Sequence, residues 1–130
     1  RQPVGQPYVS AIQADAPVAR QADFYADAGI GRRYGRVSGD INPIHLSSFT
    51  AKFLGFNRAI AHGMWTKARA LATLMPREAV NEAEIAVEFK TPLFLPARAS
   101  LWANRTDRGA VFEVRNAKGD KPHLKGRATY

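Results

Sequence analysis

Cysteine is missing from all 130 residues, which removes thiolate catalysis, disulfides and cysteine-ligated zinc from the available chemistry. Long apolar stretches are missing as well. No run approaches the ~18 residues of a membrane span, and no signal-peptide pattern opens the chain. Membrane insertion is therefore not expected, and a reducing cytoplasmic setting is. The sequence has no Lys/Arg run, no zinc-finger spacing and no aromatic-rich RNP motif, so nucleic acid is not an expected partner. Acidic residues are scarce, 11 against 19 Lys and Arg, which leaves a net charge of +8 at pH 7. That balance suits an anionic ligand. The cations are scattered, with Arg32, Arg33 and Arg36 the tightest group. There is no internal repeat and no low-complexity tract, and the length suits one domain with a genuine core. A start at Arg1 without Met is expected of a processed or trimmed piece of a longer protein.

Residues 1–17 carry Pro3, Pro7 and Pro17 among small and polar residues and read as a linker or N-terminal arm, in which Tyr8-Val9 suits pairing at a sheet edge. The domain proper is expected over 18–130. Val18–Tyr25 reads as a strand, the Gly-containing stretch 27–31 breaks the chain, and Arg32–Ser38 reads as two turns of helix. Ser47 or Ser48 is placed to N-cap a short helix. Phe49, Phe53 and Phe56 recur at helical spacing and predict a core-facing stripe. The main helix is expected over His62–Pro76, with Met64, Ala68, Leu71 and Met75 as its apolar stripe and Ala61, Ala70 and Ala72 permitting a close sheet. Pro76 ends it.

Beyond the helix the period changes to two. Ile85, Val87 and Phe89 alternate with Glu84, Glu88 and Lys90, and Ala97, Ala99, Leu101 and Ala103 alternate again. Pro92 and Pro96 exclude Leu93-Phe94-Leu95 from a central ladder. Asp107-Arg108-Gly109 and the stretch 116–120 read as turns between further strands. One long helix followed by antiparallel strands is an α+β pattern.

The chemistry concentrates in Ser38-Gly39-Asp40-Ile41-Asn42-Pro43-Ile44-His45. Gly39 lets the backbone bend, and Pro43 disfavours helix at Asn42, so Asp40 and His45 flank a turn rather than a helical face. An isolated Asp and His more often cap a helix and fill a polar hole. A carboxylate and an imidazole aimed at one point, however, suffice for general acid–base work on a water. Asn42 reads as the residue that holds the loop and orients the pair. A metal held by Asp40, His45 and His62 matches no common ligand spacing, and none is expected. His62 reads as a structural hydrogen-bonding residue at the helix start. His123 carries no signal.

The wording of that block, with an aromatic upstream and Ala51 beyond it, resembles the signature of the MaoC-like, type-2 (R-specific) enoyl-CoA hydratases. A second block, Ala61-His62-Gly63-Met64, lies where that family carries its His-Gly-Met, and the likeness continues through the strands after Glu84. The resemblance implies a hotdog fold, a curved antiparallel sheet wrapped around one long helix. It also implies cofactor-free, reversible addition of water to trans-2-enoyl thioesters of CoA or acyl carrier protein, in fatty acid metabolism. Asp40 and His45 would be the catalytic pair, and Gly63 the oxyanion-binding amide at the helix start. Ala61-His62-Gly63-Met64-Trp65-Thr66-Lys67 looks like the C-terminal half of double-hotdog acyl dehydratases, so a homodimer or a second hotdog half is the expected partner. A hotdog acyl thioesterase and a non-catalytic hotdog binding or dimerisation module are the alternatives.

Overall fold

In the computed structural model, residues 17–130 are described, so the arm expected over 1–17 and the pairing of Tyr8-Val9 fall almost wholly outside them. The strand expected first is β1 (Ala19–Ala26), and the helix after it, α1 (Ile30–Ser38), starts two residues earlier than the sequence suggested. A single 3-10 turn at Pro43–His45 leads to α2 (Ser48–Phe53), capped by Ser47, whose hydroxyl accepts the Thr50 amide. The main helix, α3 (Gly63–Leu74), precedes β2 (Glu84–Phe89), β3 (Ala97–Thr106), β4 (Gly109–Asn116) and β5 (Pro122–Thr129).

The five strands form one sheet in the order β1-β3-β4-β5-β2, with every neighbouring pair antiparallel. Alternation decides which face is buried. Ala99, Leu101 and Ala103 on β3, Ala110, Phe112 and Val114 on β4, and Leu124 and Ala128 on β5 are all buried. Phe24 and Ala26 extend that surface from β1. Helix α3 packs on β4 and β5. This is the hotdog fold, a curved sheet around one long helix. Leu93-Phe94-Leu95 stays out of the named strands, as its two prolines required, but Leu93 and Leu95 are buried in the core, and Phe94 forms one bridge to Ile60. Among the described residues, no helix is long and apolar enough to cross a membrane.

Two expected stripes are corrected. On α3 the buried residues are Thr66, Ala70 and Leu74, while Met64, Ala68 and Ala72 are exposed. The buried ridge runs at i, i+4 and i+8 and lies rotated about the helix axis from the expected stripe. Trp65 and Leu71 pack at the flanks. On α2, Phe49 and Phe53 are 72% and 78% exposed, and Ala51 is the buried residue. This helix is six residues long and rests on the 3-10 turn, not on the sheet. Its two rings face outward and pack edge-on against each other, with centroids 5.3 Å apart. Phe56 lies beyond the end of α2.

Candidate active site

The loop between α1 and α2 is built by short side chains bonding to nearby amides. Helix α1 ends at Gly39, which adopts φ 81° and donates its amide to the Gly35 carbonyl. The Asp40 amide then donates to Ser38 Oγ at 3.2 Å. Asp40 Oδ1 accepts the Asn42 amide at 3.2 Å, and Asn42 Oδ1 accepts the Ile44 amide at 3.2 Å. Two such turns in succession, with Pro43 opening the 3-10 turn, bring His45 back toward Asp40. The loop is also tied to α1, since the Arg32 guanidinium donates to the Leu46 carbonyl at 2.8 Å.

His45 is buried, and its Nδ1 lies 2.6 Å from the Ile60 carbonyl. A carbonyl only accepts, so Nδ1 carries the proton, and in the neutral ring Nε2 presents a lone pair. That Nε2 stands 3.9 Å from Asp40 Oδ2. The gap is too long for a direct hydrogen bond and suits one oxygen bonded to both groups. Asp40 is half exposed, so the pair has one wall open to an incoming ligand.

His62 joins the cluster from the start of α3. Its ring stacks on that of His45, with centroids 3.8 Å apart and planes 21° apart. Its Nε2 bonds the Asp40 carbonyl oxygen at 2.8 Å. One nitrogen or oxygen from each of Asp40, His45 and His62 falls within 4.8 Å of the others. The set fits a metal poorly, because the His62 nitrogen facing Asp40 carries the proton of that hydrogen bond and offers no lone pair.

Helix α3 begins at Gly63 with no side-chain cap, so its first amides have neither an intrahelical acceptor nor a side-chain partner. A Cβ at Gly63 would lie 2.6 Å from the ring of Phe89. A cavity of about 380 Å³ opens beside this helix end, bounded by Ile60, Gly63, Met64, Phe89, Leu93 and His123. Most of its wall is apolar. His123, which the sequence left without a role, is held on β5 by the Thr91 carbonyl at 3.1 Å. Burial pushes its imidazole below the usual histidine range, against the opposing effect of the Thr91 and Pro92 backbone. Phe89 also went unassigned in the sequence except as one position in a half-buried strand. No local pattern could reveal either residue, since each reaches the cavity by strand pairing.

Asp40, Asn42, His45 and Gly63 thus come together at one end of α3. Comparison with known proteins bears on the same region. The sequence profile of the family described as MaoC like domain matches residues 13–126. The 3-hydroxyacyl-thioester dehydratase X of Mycobacterium tuberculosis is 43% identical over 95 residues, covering 72% of this chain and 33% of that protein. A crystal structure of HtdX from Mycobacterium tuberculosis superposes with a TM-score of 0.77 at 35% identity, covering 96% of this chain and 49% of that one. The (R)-hydratase from A. caviae involved in PHA biosynthesis superposes with a TM-score of 0.66 at 20% identity, covering 92% of this chain and 96% of that one. The chain therefore spans between a third and a half of the mycobacterial protein in these two matches.

Proposed function

The chain belongs to the MaoC-like domain family, and from that membership we propose that it is a lyase, an enoyl-thioester hydratase and 3-hydroxyacyl-thioester dehydratase of fatty acid metabolism. The substrate is a trans-2-enoyl or (R)-3-hydroxyacyl thioester of CoA or acyl carrier protein, and no cofactor takes part. The observation that carries this reading is the 3.9 Å approach of Asp40 Oδ2 to His45 Nε2 beside the uncapped start of α3.

In the dehydration direction the bare Nε2 of His45 takes the C2 proton. The electron pair left on C2 forms the C2–C3 double bond as the C3 hydroxyl departs, and a protonated Asp40 supplies the proton that makes it water. Hydration reverses each step, with Asp40 as base toward water and an imidazolium at His45 as donor to C2. The cycle closes when the proton gained by one partner of the pair returns to the other. Negative charge that gathers on the thioester oxygen is met by the Gly63 amide at the positive end of the helix dipole. Asn42 keeps the two groups aligned through the turns that it caps.

Residues 18–130 form the hotdog domain of this enzyme and 1–17 its arm. A second hotdog, either another copy or another part of a longer chain, completes the acyl groove. The outward rings of Phe49 and Phe53 support such a cover. The cytoplasm is the proposed location. Crotonyl-CoA is the direct test. The reading predicts loss of enoyl absorbance without free thiol. Thiol release would make the protein a thioesterase, and no change with crotonyl-CoA or longer enoyl-CoAs would leave a non-catalytic hotdog module.

A further inference from the structure

One buried histidine touches Asp40, His45 and the helix start that carries Gly63. His62 is 3% exposed and stands at the N-cap of α3, immediately before Gly63. Its Nε2 reaches the Asp40 carbonyl at 2.8 Å, one face of its ring stacks on His45, and the Tyr34 ring packs against it at 4.9 Å. Since Nε2 must be the donor to that carbonyl, Nδ1 is left as a lone pair. It is buried and has no hydrogen-bond partner. An unsatisfied buried nitrogen is a cost that a phenylalanine of similar shape would avoid. The ring is therefore explained by what its other nitrogen does.

We propose that His62 is the positioning residue of the Asp40–His45 pair. A single rigid side chain fixes the backbone of Asp40 by a hydrogen bond and the plane of His45 by stacking. It is anchored to the same helix start that presents the Gly63 amide. Base, acid and oxyanion donor are thus all referred to one point. Asp40 depends on this most, because the rest of its support is Ser38, Asn42 and their exposed turns. Without the Nε2 bond the loop over 39–42 loses its contact with α3, and Asp40 drifts relative to His45. Drift of that kind weakens the chemical step and leaves substrate binding nearly untouched, since a ring that is 3% exposed offers a ligand almost no surface.

The test compares His62→Phe, which keeps a stacking ring and removes the donor, with His62→Gln, whose amide nitrogen reaches about the Nε2 position. The inference rests on the hydratase reading, so hydration of crotonyl-CoA is measured alongside amide exchange of residues 39–45 in the whole protein. His62→Phe is expected to lower kcat by about 10²-fold with KM nearly unchanged, and His62→Gln to recover most of the loss. Exchange across the loop should speed up in His62→Phe and return toward wild type in His62→Gln. Should His62→Phe not fold, His62→Asn, whose amide stops short of the Asp40 carbonyl, takes its place. Wild-type kcat in the donor-less variant, or a glutamine variant as impaired as the phenylalanine one while folded, would overturn the assignment. An inert wild type would end the hydratase reading instead, and unchanged loop exchange in the donor-less variant would still overturn the role of His62.

Discussion

Gly31 lies so close to the backbone of His45 that a Cβ built on it would sit 1.6 Å from the His45 carbonyl oxygen. Helix α1 therefore rests directly on the turn that carries the imidazole, with no side chain between them. Gly31→Ala has no flexible neighbour to yield, because the obstacle is backbone. We expect a loss of stability at the upper end of the ~1–3 kcal/mol typical of overpacking, and a fall in hydration from the displaced His45. Denaturant unfolding and crotonyl-CoA hydration of the variant measure both effects. A variant with wild-type stability and rate would show that α1 does not support the site.

Gly63 offers the opposite case. The nearest obstacle to a Cβ there is the ring of Phe89, which is 53% exposed and free to swing. Gly63→Ala should therefore fold with little loss of stability. The methyl and the displaced ring would crowd the amide proposed to receive the thioester oxygen. Hydration should fall by about 10²-fold, the lower range for losing one oxyanion donor. A melting curve and kcat taken together distinguish this from a packing defect, and unchanged kcat would remove Gly63 from the site.

His123 gives a pH signature of stability. Its folded-state affinity for protons is lowered, chiefly by burial, while the unfolded chain holds an ordinary histidine. The unfolded state therefore takes up its proton first as the pH falls. The contribution is neutral above the ordinary pKa of about 6.5 and becomes destabilising below it. Wild-type stability should decline from that pH downward, and His123→Gln should flatten the decline. Unfolding midpoints across this range check it. Equal slopes in the two proteins would contradict the burial of this ring.

The parts of the molecule that were legible in the sequence are those in which neighbours along the chain decide the outcome. Pro43 and the side-chain caps of Asp40 and Asn42 dictate a turn wherever they occur, so the convergence of Asp40 with His45 could be read locally. The alternation of Ala99, Leu101 and Ala103 fixed their buried face for the same reason. For Phe49 and Phe53, helical spacing shows that the two residues share a face, not that the face points outward. On α3 apolar residues recur along more than one helical stripe, and only the packing selects Thr66, Ala70 and Leu74 as the buried one. The abutment of Gly31 on His45, the ring of Phe89 over Gly63 and the stack of His62 on His45 all join distant segments. They were beyond any local pattern.

If Asp40 and His45 work as one acid–base unit, a double-mutant cycle in enoyl-thioester hydration must show it. Asp40→Asn and His45→Ala should each lower kcat by about 10²–10⁴-fold with the fold retained, as expected for loss of a general acid or base. The double variant should be scarcely worse than the poorer single one, because a proton that cannot be passed by one partner gains nothing from the other. Losses that multiply in the double variant, or full activity in either single one, would contradict the account.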